Sequence, residues 1–388
     1  MATRKIALIG AMGSGKSTLA RLYASATGCK AFDCDDEFTA RYGDISAFFD
    51  SRGEREFREK ESEILIAAAM SDARVIATGG GAVMCRRGMN ALRMTCDIVH
   101  LTAPTETLRA RISHSDRPLK SALEQTVSDR APLYEKYADY TVCTDTDSAQ
   151  ISLAALSGAL REKRPNRYDI VLCDADDTVL DFGTAMKYSL IRAVRASGLK
   201  SADARIVSEY SKVNDEVWGR LERGEITRSE LDDMRFRMLL ERLDEVGDAA
   251  ALNDRYISEM IKTRFVLDGA KEFLSELKRR GIKTYIITNS FYRIASERLK
   301  ALDGYIDGAF ISETCSFDKP DPRFFEYVFA ELGISDKSRV AVFGDSPTSD
   351  IAGAAAFGLD CCLYKPAGKD VSRADFVAED YSEFLSVL

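Results

Sequence analysis

Two short stretches of this 388-residue chain carry side chains suited to phosphate chemistry. Residues 10–17, GAMGSGKS, have the glycine and lysine spacing of a loop that wraps the phosphates of a nucleotide. Far along the chain, in VLCDADDTVL, Asp174 and Asp176 follow an apolar run and could take phosphoryl groups off esters. The first stretch indicates addition of phosphoryl groups, and the second indicates their removal.

The glycine-rich loop predicts a nucleotide site. Its glycines let backbone N–H groups surround the phosphates, which also meet the positive end of the following helix. Lys16 can reach the β- and γ-phosphates, and Ser17 can hold Mg²⁺. The other nucleotide-binding positions are Gly13, Ser14, Gly15 and Thr18. A glycine-rich turn without nucleotide is the alternative, but the strand-like KIALI before the loop and the helix-forming STLARLYASA after it favour ATP and Mg²⁺ as cofactors.

Two patterns of charged residues follow, and both could bind a small molecule that accepts the phosphoryl group. In FDCDDEF, Asp33 and Asp35 stand two apart and could both point into one cleft, although such clusters are often a solvated helix start. In GEREFREKESEIL, Arg58 and Glu61 share one helix face, which taken alone favours a surface ion pair.

Further along the same half, ATGGGAV ends a strand in glycines 79–81, which would let a small ligand lie against bare backbone. Arg117 in SDRPLK and Arg130 in DRAPLYEKYA lie in polar stretches suited to a mobile lid. These positions add candidate ligand contacts to the nucleotide site.

In the second half, polar residues follow three strand-like runs and one loop. Because ligands of an open α/β sheet bind outside the carboxyl ends of its strands, these residues are expected in one crevice. They are Asp174, Asp176, Thr288, Asn289, Lys319, Asp345 and Asp350.

The elements that would position both sets are buried parallel strands. KIALIG, RVIATGG and DIVHLTA alternate with helical sequence in the first half, and YDIVLCDAD, KTYIITNS and SRVAVFGDS do so in the second. Between Asp181 and about Arg264 only helical periodicity remains. The polar stretch 161–169 is the best linker candidate. The sequence predicts an α/β protein with domains at 1–162 and 163–388, the second with a helical insertion at about 183–264.

Composition narrows the possible partners and chemistry. A net charge of −8 argues against nucleic acid, and only two histidines exclude histidine-based triads and most histidine-rich zinc sites. Nine cysteines without C-x-x-C spacing are typical of reduced thiols. The apolar run near the start is short and stopped by Lys16, and no stretch is long enough to cross a membrane. We expect a cytoplasmic enzyme of small molecules; its oligomeric state is left open.

The first half resembles shikimate kinase over essentially its whole length. Six motifs occur in order: the phosphate loop, D-x-D, G-E-x-x-F-R, T-G-G-G, R-P-L and R-x-P-x-Y. The resemblance implies a P-loop kinase domain in which Asp35, Arg58, glycines 79–81 and Arg130 bind shikimate. It also implies that Asp33 lies near Mg²⁺ and that Arg117 is a lid arginine over the phosphates. A gluconate kinase is the alternative, since gluconate is also a small hydroxy acid.

From about Tyr168 onward, the chain resembles the haloacid dehalogenase superfamily of phosphatases, which implies a Rossmann-like domain with a helical cap. DADDT, LERGEIT, ITNS and GDSPTSDI are most similar to its pyrimidine 5'-nucleotidase branch. The resemblance implies that Asp174 is the nucleophile and that Asp176 protonates the leaving alcohol and then activates water. Thr288 and Lys319 would hold the phosphoryl group and Asn289 the substrate. The implied Mg²⁺ site contains Asp174, Asp176, Asp345 and Asp350.

These patterns predict a bifunctional enzyme: a shikimate kinase followed by a Mg²⁺-dependent phosphatase, with a nucleoside monophosphate as first-choice substrate. The alternative for the second half is a domain that senses a phosphorylated metabolite without catalysis. An intact pair of Asp174 and Asp176 argues against a sensor, which needs no nucleophile.

Overall fold

A computed structural model describes residues 4–112, 123–146, 148–162 and 164–388. The chain divides into two compact units, one reaching to Arg167 and including Ser386–Leu388, the other covering Tyr168–Leu385. The predicted domain boundary between residues 162 and 163 stays a prediction.

The first unit contains a five-stranded parallel sheet in the order β2-β3-β1-β4-β5. The strands are β1 (Lys5–Ile9), β2 (Ala31–Asp33), β3 (Val75–Ala77), β4 (Cys96–Thr102) and β5 (Tyr140–Cys143). Strand β1 lies at the centre of the sheet, between β3 and β4, and its apolar residues are therefore buried. The three strand-like runs predicted in this half are β1, β3 and β4.

Seven helices belong to the described part of this unit. They are α1 (Lys16–Thr27), α2 (Cys34–Tyr42), α3 (Ile45–Met70), α4 (Arg86–Thr95), α5 (Thr105–Ile112), α6 (Leu123–Tyr137) and α7 (Ala149–Ala159). Helix α3 is kinked at Gly53, whose φ of 80° and ψ of 169° are not helical. Since β1, β2 and β3 are parallel, the loops after them meet at one edge of the sheet.

The second unit contains a six-stranded parallel sheet in the order β11-β10-β9-β6-β7-β8. Its strands are β6 (Ile170–Asp174), β7 (Lys283–Thr288), β8 (Gly308–Ile311), β9 (Val340–Gly344), β10 (Asp360–Tyr364) and β11 (Phe376–Ala378). The predicted strands of this half are β6, β7 and β9, which are adjacent at the centre. Two parallel-sheet α/β units confirm the predicted fold class.

Four helices follow β6 and form the cap: α8 (Phe182–Ala196), α9 (Asp203–Glu222), α10 (Arg228–Leu243) and α11 (Ala249–Met260). Their apolar faces share one core, in which Tyr210, Phe236 and Tyr256 are buried and Trp218 is only partly buried. The remaining helices are α12 (Ala270–Arg280), α13 (Tyr292–Arg298), α14 (Ser312–Cys315), α15 (Pro322–Leu332), α16 (Ala352–Phe357) and α17 (Tyr381–Val387). The helical insertion therefore lies where the strand signal disappears from the sequence.

The predicted linker, 161–169, is exposed at Arg161 and Pro165 but buried at Arg167 and Tyr168. Arg167 is buried, and its guanidinium donates to both carboxylate oxygens of Asp139 at 2.7 and 2.6 Å. A further N–H donates to the Arg93 carbonyl oxygen. The polar composition of this stretch could not show whether Arg167 is buried and paired or exposed to solvent. Among the described helices, none has the length and apolar character to cross a membrane.

Candidate active sites

The glycine-rich loop joins β1 to α1 and has the backbone shape of an anion cradle. Gly10, Gly13 and Gly15 have φ values of 145°, 84° and 86°, which residues with a Cβ rarely adopt. A Cβ on Gly10 would also lie 2.5 Å from the Leu101 carbonyl oxygen. The loop ends where α1 begins, so the first N–H groups of that helix are available to phosphate.

Lys16 is folded over this loop and is only 7% exposed. Its ammonium donates to the carbonyl oxygens of Gly10 and Ala11 at 2.8 and 2.9 Å. The predicted nucleotide positions Gly13, Gly15, Lys16, Ser17 and Thr18 line one open hollow of about 840 Å³, mouth included, and Ser14 lies buried beside it.

Arg111 also lines this hollow, although no motif in the sequence indicates it. Its guanidinium donates to the Gly13 carbonyl oxygen at 3.3 Å and to the Thr144 carbonyl oxygen at 2.7 Å. In the sequence, Arg111 is one of two arginines in the last turn of α5 and cannot be told from a surface residue. Arg117, the predicted lid arginine, lies outside the described residues.

A second cavity adjoins the first and collects the predicted acceptor-binding residues. Its space is about 730 Å³, open mouth included, within the range of small-molecule sites. The predicted residues that line it are Asp35, Arg58, Gly79, Gly80, Gly81 and Arg130. Glu61, Tyr134, Phe49 and Phe57 complete much of the wall. Residues from four separate parts of the sequence therefore meet around one cavity.

Bare backbone at glycines 79–81 is what allows charged side chains to approach. A Cβ on Gly79 would lie 2.7 Å from Glu61 Oε1 and 3.0 Å from Asp35 Oδ1. A Cβ on Gly81 would overlap the Arg58 guanidinium. Arg130 and Tyr134 donate to the Gly80 carbonyl oxygen at 3.1 and 2.6 Å, which ties α6 to this turn.

Arg58 and Glu61 form an ion pair of 2.5 Å in which Glu61 is buried and Arg58 is partly buried, so this is not an ordinary surface pair. Burial raises the pKa of Glu61, while the Arg58 charge opposes that rise. Burial likewise raises the pKa of Tyr134 to about 12. The cavity thus presents Arg58 and Arg130 as cations at one wall, an arrangement suited to a small carboxylate.

Asp33 and Asp35 have different surroundings. Asp35 lines both the acceptor cavity and the phosphate-loop hollow. The Asp33 carboxylate instead caps α2, accepting the N–H groups of Asp35 and Asp36 at 3.1 and 3.4 Å. Asp33 is the residue directly before α2, where a carboxylate can accept the unpaired N–H groups of the first helical turn. Its predicted proximity to Mg²⁺ stays a prediction.

In the second unit, Lys319 connects two of the predicted carboxylates. Its ammonium, 1% exposed, lies 2.7 Å from Asp174 Oδ1 and 2.6 Å from Asp350 Oδ1, and it also donates to the Ile287 carbonyl oxygen. Thr178 donates to the other oxygen of Asp174 at 3.1 Å. The nucleophile candidate is therefore held at both carboxylate oxygens.

Asp174, Asp345 and Asp350 place one carboxylate oxygen each within 4.8 Å of one another. Burial and the neighbouring Asp350 charge raise the pKa of Asp174 well above its usual range, against the effect of Lys319. Burial would lower the pKa of Lys319, but its two carboxylate partners outweigh that effect and raise it. A buried excess of carboxylate oxygens fits a hard divalent cation such as Mg²⁺.

The carboxylate of Asp176 is not among these three, and its predicted place at the Mg²⁺ site stays a prediction. Arg298, at the end of α13, donates to Asp176 Oδ1 at 2.5 Å. Thr288 is buried at the end of β7, and its hydroxyl oxygen accepts the Ser290 N–H. Asn289 uses both ends of its amide on the Lys319 backbone, at 2.8 and 2.9 Å. Its predicted contact with substrate stays a prediction.

Two further basic residues lie at this site without any signal in the motifs. Lys369 donates to Asp345 Oδ2 at 3.0 Å and to its carbonyl oxygen at 2.7 Å. Arg298 lies in a helix whose sequence, YRIASER, resembles an ordinary amphipathic surface segment. Both are brought to the site by tertiary folding alone.

Comparison with known proteins gives two matches that follow one another along the chain. Residues 12–159 match the family "Shikimate kinase", and residues 168–358 match "haloacid dehalogenase-like hydrolase". Shikimate kinase 1 of Yersinia pestis is 36% identical over 157 residues, 38% of this chain and 91% of that protein.

Pyrimidine 5'-nucleotidase PynA of Streptococcus pneumoniae is 31% identical over 202 residues, 51% of this chain and 84% of that protein. Among solved structures, the magnesium-bound HAD-hydrolase YfnB of Bacillus subtilis has a TM-score of 0.54 and 29% identity. It covers 57% of this chain and 99% of its own.

Proposed function

Since the chain belongs to the shikimate kinase family over residues 12–159 and to the haloacid dehalogenase-like hydrolases over residues 168–358, we propose that it adds phosphate to shikimate and removes phosphate from a nucleoside monophosphate. It is a kinase and a phosphoric monoester hydrolase in one polypeptide, with ATP and Mg²⁺ as cofactors. The identity of each substrate and the role of each residue are our proposals.

The observation that carries the kinase proposal is the place of Asp35, which lines both the phosphate-loop hollow and the acceptor cavity. There its carboxylate can orient the acceptor hydroxyl and help to accept its proton as the hydroxyl oxygen bonds to the γ-phosphorus and the bond from that phosphorus to the bridging oxygen of ADP breaks. Arg58 and Arg130 bind the shikimate carboxylate at the other wall. Lys16 holds the β- and γ-phosphates, and Ser17 and Asp33 are the proposed partners of Mg²⁺, which supplies charge neutralisation.

A gluconate-type kinase is the competing assignment for this unit. Phe49 and Phe57 line the acceptor cavity and give it an apolar wall, which suits the carbon ring of shikimate better than the open polyol chain of gluconate. The test is ATP consumption by the purified chain with shikimate or gluconate as acceptor. Turnover with gluconate and none with shikimate would contradict the proposal.

For the phosphatase, the carrying observation is the buried contact of Asp174 with Lys319 beside two further carboxylates. Asp174 forms the bond to phosphorus while the ester P–O bond breaks, and Asp176 gives its proton to the leaving oxygen. Asp176 then takes a proton from water as that water attacks the phospho-aspartate, which releases phosphate and restores Asp174. Lys319 and Thr288 hold the phosphoryl oxygens; Asp174, Asp345 and Asp350 would hold Mg²⁺, which would offset the charge of those oxygens.

A nucleoside monophosphate is the proposed ester because the motifs of this half are most similar to pyrimidine 5'-nucleotidases, and PynA carries that name. A sensor without catalysis is the alternative. Phosphate release should be measured with pyrimidine nucleotides, sugar phosphates and shikimate 3-phosphate, with and without Mg²⁺. If none of these esters is hydrolysed, the sensor assignment replaces the phosphatase.

A further inference from the structure

A cavity in the second unit lies between the cap helices and α13. Its space is about 610 Å³, open mouth included. Apolar and aromatic side chains form most of its wall: Phe182, Trp218, Tyr256, Met260, Phe291 and Ile294. Asp176 also lines it, so the cavity begins where the leaving group of a phosphate ester would depart. Its size and apolar wall suit an organic group larger than water.

Arg298 is the most deeply buried charged residue of this wall, at 1% exposure. One terminal nitrogen, NH1, donates to Asp176 Oδ1 at 2.5 Å. The other two nitrogens, Nε and NH2, are buried and have no hydrogen-bond partner among the described residues. Buried N–H groups without acceptors are costly, so this free edge of the guanidinium is better explained by a ligand that supplies oxygen.

The other polar groups of the wall define what such a ligand would carry. Arg235 is also buried; it pairs with Asp232 Oδ1 at 3.3 Å and donates to Asn253 Oδ1 at 3.0 Å, and its Nε has no hydrogen-bond partner among the described residues. Asp232 and Asp176 offset the charges of the two guanidiniums, one carboxylate for each arginine. Trp218 and Phe291, with ring centres 6.2 Å apart and ring planes at 61°, give the wall an aromatic surface. The aromatic surface and the unpaired N–H groups of the two arginines thus favour a flat ring bearing oxygen acceptors over an aliphatic group.

We propose that Arg298 acts on both the catalytic acid and the leaving group. Its NH1 positions Asp176 for proton transfer, and its Nε and NH2 donate to a carbonyl oxygen on a flat ring of the leaving group. Arg298 is accordingly a positioning residue for Asp176 and a specificity-determining residue for the ester. This inference rests on the proposed phosphatase function and deepens it, because it assigns leaving-group recognition to the cap cavity.

The test compares Arg298→Met and Arg298→Lys with the unsubstituted full-length chain on three esters. Uridine 5'-monophosphate carries a ring with carbonyl oxygens, ribose 5-phosphate lacks that ring, and p-nitrophenyl phosphate has a leaving group that needs little protonation. Lys300→Met, two residues after Arg298 and half-exposed, is the matched control because Lys300 forms its ion pair with Glu297 at the surface.

For Arg298→Met, we expect KM for the uridine ester to rise about 10-fold through loss of the hydrogen bonds to the ring. We expect kcat for both biological esters to fall about 100-fold through loss of acid positioning, with a much smaller fall for p-nitrophenyl phosphate. Arg298→Lys should restore part of kcat without restoring KM, because an ammonium keeps the charge beside Asp176 and loses the planar edge.

An equal change for all three esters, or none, would overturn this inference while leaving the phosphatase function intact. Failure of the unsubstituted chain to hydrolyse any of the three would overturn the proposed phosphatase function itself, and this inference with it.

Discussion

The ammonium of Lys319 lies 2.7 Å from the Asp174 carboxylate, and both groups are buried. Lysine in this position offsets the charge of the carboxylate cluster and leaves Asp174 Oδ2 to Thr178. To act as a nucleophile, Asp174 must be anionic and must face the substrate phosphorus. Replacing one of its carboxylate oxygens should therefore impair catalysis.

Asp174→Asn should abolish phosphate release, because a neutral amide cannot attack phosphorus and binds Mg²⁺ poorly. In the unsubstituted chain, beryllium fluoride with Mg²⁺ should be trapped on Asp174 as a mimic of the phospho-aspartate. Steady-state phosphate assays measure the first effect and fluorine NMR the second. Asp303→Asn, at an exposed position, is the control. Unchanged hydrolysis by Asp174→Asn would rule out this nucleophile.

Lys16→Ala should abolish ATP-dependent phosphorylation of shikimate and leave phosphatase turnover nearly unchanged. Losing a charged contact to the transferring phosphoryl group costs on the order of 10²-fold or more in rate. Both activities are assayed on the same preparation, and circular dichroism checks the fold. Loss of both activities in a folded protein would show that the two sites are not independent.

Gly81→Ala should raise KM for shikimate far more than KM for ATP. The added Cβ would overlap the Arg58 guanidinium and displace it from the acceptor cavity, whereas the phosphate loop is untouched. Gly158→Ala is the matched control: its Cβ would meet no atom within 4 Å, and alanine in a helix should raise stability slightly. An equal KM change for both substrates would argue against Arg58 as the shikimate ligand.

Arg167→Ala should destabilise the first unit by about 3–5 kcal/mol, because it leaves the Asp139 carboxylate buried without its cation. Urea unfolding followed by loss of kinase activity measures the change. Arg161→Ala, in the same stretch but exposed, should change stability by less than about 0.5 kcal/mol. Similar small effects for both arginines would mean that the stretch behaves as a solvated linker.

The first unit should also lose stability as the pH falls from about 6.5. Burial, with a smaller contribution from Lys16, lowers the pKa of His100 to about 4, so the folded state binds fewer protons than the unfolded state between these values. The imidazole stacks on Tyr134 at 4.8 Å. Unfolding free energy measured from pH 7 to 5 should therefore decline, and His100→Gln should decline less. Equal slopes would exclude His100 as the source.

Much of the architecture was predictable because local patterns determine it. The apolar runs around Leu8, Val99 and Leu172 are strands in both halves, and the period of the insertion after Asp181 is helical. The glycine and lysine spacing of the phosphate loop likewise predicts its backbone shape, because that shape depends on residues close in sequence. Most of the candidate site residues were predictable for the same reason, because they lie at or directly after the ends of strands.

What the sequence by itself determined is therefore the order of elements, the two α/β units and the groups available for phosphate chemistry. The tertiary structure decided how those groups divide their work. It turned Asp33 to its helix end while Asp35 lines both hollows, buried Arg167 against Asp139, and paired Arg298 with Asp176 across 122 residues. Such partners are distant in sequence, and an arginine has the same local pattern whether its charge meets water or a carboxylate. Only the packing of elements decides which one it meets.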